Sequence, residues 1–286
     1  MTRSPPTQNI GHPHFMFLKL LYSHFLLQRC FAHIFLRRAF SESLRAVIYR
    51  ALSELAQVFS LFIPLKILII MGSEDIPIYL QGYISEETRT IWLLSMTAAT
   101  FFLYFLAIFL GLLSHRMVVR GGLKFNFQQI YPSQEHQKKR QGLKRVYKLS
   151  LNAYTNLLII LVGFLLLLVV NPLIALLIPS FIVFQIMLAN SLICREAGFL
   201  SWLGRSMKKE PVEYLNYFSA INFLLVFMIL VFDYLLDGQI NTVAAIFTLL
   251  LSRRTFQAIK QYGAIAIKLS EDGESLQSLQ RLDSTM

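Results

Sequence analysis

The chain has 286 residues, 55% of them hydrophobic, and carries a net charge of +11. The apolar residues lie in long runs, which excludes an ordinary water-soluble fold and predicts an all-α, polytopic membrane protein. The excess of basic residues falls in clusters between those runs, as membrane topology and anionic lipid require, and does not point to nucleic acid. Cys30 and Cys194 are far apart in apolar surroundings, so they predict neither a disulfide framework nor a zinc site.

Residues 1–13 are Pro-rich and polar and read as a disordered N-terminus. From Phe15 to Leu36 the chain is apolar but interrupted by Lys19, His24, Arg29 and His33. Basic residues repeated at this spacing favour an amphipathic helix lying in the membrane interface over residues 14–40. The lack of an acidic residue before Glu42 also suits a targeting segment. A first span follows over about residues 46–71, with Ser43 placed to cap it and Pro64 to kink it just before Lys66. The acidic connector 72–90 suits an outer face.

A second span covers about 91–113, with Trp92 at its outer end. It leads into the most basic connector, 114–149, which holds Arg116, Arg120, Lys124, Lys138, Lys139, Arg140, Lys144, Arg145 and Lys148. This connector is cytoplasmic under the positive-inside rule, and Gly121-Gly122 should break any helix within it. A third span (151–170) and a fourth (173–193) are joined by Asn171-Pro172, a turn tight enough to predict an antiparallel hairpin. After a mixed-charge inner connector, 194–216, come a fifth span (217–236), a short outer turn and a sixth span (241–262). Residues 270–286 form a polar tail. The pattern predicts six transmembrane helices within residues 43–269 and both termini inside.

The sixth span is the unusual one. Counting from Thr242, a helix has climbed about 17 Å when it reaches Arg253 and Arg254, roughly half of the ~30 Å hydrocarbon core. Two guanidinium groups at that depth should face protein or a water-filled cavity. Alternatively, the helix tilts or starts deeper and both arginines snorkel to the inner interface. Neighbouring helical positions point about 100° apart, so the two cannot share one narrow cavity equally. Lys66 and Asp233 pose the same choice near the outer face, where they could line a cavity, pair with each other, or reach headgroups and water.

Several of these features together resemble the transmembrane domain of ABC exporters. They are the interfacial helix before six spans, Ile63-Pro64-Leu65-Lys66 in the first span, Pro172, Ala175 and Leu176 opening the fourth, and Ser252-Arg253-Arg254 followed by Gln257 to Leu269 in the sixth. The resemblance covers roughly residues 15–275. No G-x-x-x-x-G-K-[ST] phosphate loop occurs. The resemblance therefore implies a transmembrane subunit that uses ATP bound to a separate nucleotide-binding subunit and carries no cofactor of its own. It implies a dimer with itself or a similar chain, surrounded by membrane lipid in a bacterial inner membrane. Arg253, Arg254, Lys66 and Asp233 become candidate contacts for an anionic or amphipathic substrate, and Arg120, Lys124, Arg205 and Lys208 candidates for coupling to the ATPase. Connectors 114–149 and 194–216 are short for that family. This favours an alternative, an exporter-like subunit that scaffolds a larger membrane complex. A membrane enzyme of lipid or polysaccharide metabolism is a weaker alternative, because neither the six histidines nor the carboxylates form a recognisable catalytic or metal-binding set.

Overall fold

A computed structural model describes residues 16–72, 88–124, 137–194, 209–237 and 242–271. They form six helices: α1 (Met16–Gly72), α2 (Arg89–Lys124), α3 (Gln137–Val170), α4 (Pro172–Cys194), α5 (Pro211–Asp237) and α6 (Thr242–Glu271). Four helices carry segments long and apolar enough to cross a bilayer, namely Phe40–Gly72, Arg89–Leu123, Lys144–Val170 and Pro211–Leu236. The protein is a polytopic membrane protein, helical in nearly all of its described residues, which is how a chain satisfies its backbone polar groups inside lipid. In α4, which spans Pro172–Cys194, the stretch Pro172–Leu188 is apolar. In α6 the apolar run is interrupted by Arg253, Arg254 and Lys260.

Two boundaries differ from the sequence expectation. From Met16 to Phe40 the segment expected as a separate interfacial helix over residues 14–40 is continuous with the first span, because α1 runs unbroken for 57 residues, about 85 Å. No Gly or Pro occurs between His14 and Ile63, and extending an existing helix costs far less than starting a new one at Ser43. Ser43 therefore caps nothing, and its hydroxyl meets that of Tyr147 in α3 at 3.2 Å. Similarly, α2 passes through Gly121-Gly122 to Lys124. A side chain at Gly121 would run into the Tyr147 hydroxyl, so this glycine permits a close approach of α2 to α3 instead of ending α2. With α2 extended to Lys124 and α3 beginning at Gln137, both helices continue several turns past their most apolar segments. Pro64 and Pro179 likewise lie inside continuous helices.

Small residues set the packing. Along the antiparallel α1–α2 pair, the Ser114 hydroxyl donates to the Ala46 carbonyl at 2.8 Å and the Ser53 hydroxyl to the Ala107 carbonyl at 2.7 Å. Further along the pair, Arg89 donates to the carbonyl of Ile70. Ala46, Ser53, Ala107, Gly111 and Ser114 leave room for the backbones to come close, the usual basis of helix association where apolar burial gives no advantage over lipid. Hydroxyls within the helices are satisfied locally: Thr97, Thr100, Thr155 and Thr255 each donate to the carbonyl four residues earlier.

At the centre lies α6, packed against α1, α3 and α5. Ala51, Ile159 and Ala258 join α1, α3 and α6. Leu251 and Phe256 share a larger core with Leu167, Ile174, Val226 and Leu230. Phe59 and Phe62 flank Phe247, with ring centroids 5.6 and 4.9 Å away. At Gly163, α3 passes so close to Thr255 that any side chain would collide with it. A single residue, Asn171, separates α3 from α4; its side chain caps α4 by accepting from the Ile174 amide at 3.2 Å, with Pro172 at the first helical position. Beyond that turn α3 packs mainly along α6, and its contact with α4 is smaller than a lengthwise hairpin would give.

Candidate functional site

The Arg pair of α6 divides between two surroundings. Arg254 turns inward and forms an ion pair with Glu54 of α1, while its Nη1 donates to Gln257 at 3.3 Å. Arg253 is exposed on another side of the helix and sits over the Phe223 ring of α5, 5.9 Å from its centroid. Of the two, only Arg254 meets a carboxylate among the described residues. The ~100° step between neighbouring helical residues sends Arg253 towards α5, away from the α1–α3 side.

Glu54 is the hinge of this cluster. It accepts from Arg50 Nε at 3.0 Å, one turn earlier on α1, and also holds Arg254 from α6. Its side chain is only 12% exposed and that of Arg254 20%, whereas that of Arg50 is 53% exposed. One carboxylate therefore lies between two guanidinium groups, so the cluster as a whole is positive. A buried carboxylate of this kind is tolerated only when paired, and Glu54 is the one acidic residue of α1 between Ser43 and Gly72.

Beside the cluster, α1, α3 and α6 leave a cleft of about 280 Å³. Arg50 and Glu54 from α1, Asn152 and Asn156 from α3, and Gln261 and Lys268 from α6 supply its polar lining. A second cleft of about 210 Å³, between α1, α2 and α3, shares Arg50, Asn152 and Thr155 with the first and adds His115 and Lys148. Both lie towards the end of the bundle where the basic residues of α1, α2 and α3 gather. Among the described residues no three His, Cys, Asp or Glu side chains come together as a metal site. A separate polar contact joins α4 to α5, where the amides of Gln185 and Asn222 bond reciprocally at 2.6 and 3.0 Å.

The candidates named from sequence do not form one site. Lys66 is half-buried on α1 and Asp233 exposed on α5, while Arg253 faces Phe223. Arg120 is exposed near the end of α2 and Lys124 ends that helix. Arg205 and Lys208 lie outside the described residues. What the sequence reading missed was the counter-charge. Glu54 stands alone at the edge of an apolar run, and a lone carboxylate there is itself a signal that a cation must meet it. Asn152 and Asn156 carried a second signal, two amides four residues apart and so on one face of α3. Compared with protein-family models, with curated proteins and with solved structures, the chain matches none.

Proposed function

We propose that the protein is the transmembrane subunit of an ABC-exporter-like transporter, with its ATPase on a separate chain and an anionic or amphipathic substrate. The observation that carries this reading is the Arg50–Glu54–Arg254 cluster beside a polar cleft in a bundle of apolar helices. Charged groups inside a membrane bundle are costly to keep, and they commonly mark a path for substrate or ions. The position of α6 adds support. It meets α1, α3 and α5 and continues past the cluster to Glu271, so a push on its basic end would reach the helices that form the cleft.

In this reading all six helices cross the membrane, with the basic connectors in the cytoplasm, and a bacterial inner membrane is its setting. Two copies, or this chain and a similar one, would enclose the translocation path. The cytoplasmic ends of α2 and α3, with Arg120 and Lys124, would dock the nucleotide-binding subunit. Isolation of the intact protein in mild detergent tests the proposal: an ATPase subunit should co-purify, and its hydrolysis should depend on the membrane subunit. Repeated isolation of a folded protein without any ATPase would exclude transport by this route.

A second reading is an exporter-like subunit that holds a larger complex together. It is favoured by one contact, the Glu54–Arg254 pair, which uses the α6 charge inside the chain. Reconstituted vesicles separate the two readings, because only a transporter should show substrate-stimulated ATP hydrolysis.

A further inference from the structure

We propose that the cleft between α1, α3 and α6 binds a phosphate group. This deepens the transport reading and rests on it only in taking the cleft as a ligand path. At the floor lies Asn156, 4% exposed, which lines the cleft and makes no hydrogen bond among the described residues. Its side-chain amide is not among the buried unpartnered polar atoms, so it opens onto the cleft, where its N–H groups are available to an acceptor. Thr155 beside it is already committed, its hydroxyl donating to the Leu151 carbonyl at 2.9 Å.

The rim gives the anion its sign. Arg50 uses Nε on Glu54, and its Nη groups bond no other described residue. Lys268 of α6 lines the same cleft, is exposed, and likewise has no described partner. Glu54 would repel an anion, but it lies between Arg50 and Arg254 and is more than neutralised. Donors thus come from three helices: Arg50 from α1, Asn152 and Asn156 from α3, and Gln261 and Lys268 from α6. A planar carboxylate is satisfied by a single bidentate fork, whereas donors converging from three sides match a tetrahedral anion with oxygens in every direction. Leu149, Ala264 and Ile265 supply an apolar wall on which the organic part of a phosphate ester could rest. The chemistry is shared by a phospholipid headgroup and by free phosphate.

The full-length protein, in nanodiscs of phosphatidylcholine, should bind fluorescent short-chain phosphatidic acid. Lys268→Gln, at an exposed position, should weaken that binding about tenfold, the usual scale for one charge-assisted hydrogen bond. Asn156→Ser should weaken it by a smaller factor. If millimolar inorganic phosphate competes, the site accepts the free anion; if it does not while phosphatidic acid still binds, the site reads a lipid headgroup. Wild-type affinity in both Lys268→Gln and Arg50→Gln would overturn the proposal. So would a folded protein that retains neither probe. A protein that carries an ATPase but binds neither probe keeps the transport reading and loses this one.

Discussion

Among the helices described, α2 and α6 have the opposite relation to their surroundings from the one water would impose. Rich in phenylalanine, α2 leaves nearly all of its apolar segment uncovered: Phe101, Phe102, Tyr104, Phe105 and Phe109 are all exposed. By contrast α6 carries Arg253, Arg254, Lys260 and Lys268, yet Thr248, Leu251, Ser252 and Ala258 on it are almost completely buried. Lipid solvates the rings of α2 at no cost, so nothing drives that face inward. A polar helix has no such solvent in the membrane and needs protein partners. Apolar content therefore says which segments can cross a bilayer, while polarity says which of them must sit in the middle.

The sharpest way to break the comparison is to strip α6 of its counter-charge. Glu54→Gln leaves Arg254 buried without an anion and should destabilise the protein by about 3–5 kcal/mol. The double substitution Glu54→Leu with Arg254→Met should recover most of that loss, since a buried pair replaced by apolar residues is often neutral. Thermal unfolding in detergent measures both; an unchanged midpoint for Glu54→Gln would mean that the pair does not hold α6 in place. Next in size is Gly163→Val, whose side chain must displace Thr255 and separate α3 from α6. A loss of about 1–3 kcal/mol is expected, readable as a lowered midpoint.

Smaller effects test the periphery. Asn222→Leu removes the reciprocal amide contact with Gln185 and should cost about 0.6–1.7 kcal/mol, the range for polar contacts between membrane helices. A loss as large as that of Glu54→Gln would show that the α4–α5 contact, not α6, organises the bundle. Phe105→Leu on α2, 67% exposed, should shift stability by less than about 0.5 kcal/mol. If it costs several times more, the exposed face of α2 is covered by protein in the membrane and the contrast with α6 fails.

Much of the helical layout is legible in the chain itself. Apolar run length predicts the core of every helix, and Asn171-Pro172 locates the break between α3 and α4, because an asparagine cap followed by proline acts locally. Where the expectation fails, at Ser43 and at Gly121-Gly122, a local signal for a boundary competes with helix propagation and with contacts formed by distant residues. Tyr147 meets both Ser43 and Gly121, and no local reading of either site includes it.

Sequence alone determined the membrane class, the helical content and the presence of a positive charge in the last apolar segment. Each follows from hydropathy and period, which are properties of neighbours along the chain. Tertiary structure decided what that charge does. It sent Arg254 to Glu54, two hundred positions away in the chain, turned Arg253 onto Phe223, and left Arg50, Asn156 and Lys268 around one cleft. The physical reason is that a bilayer removes the hydrophobic cue for which helix meets which, and leaves small-residue fit and charge pairing, both three-dimensional, to choose the neighbours.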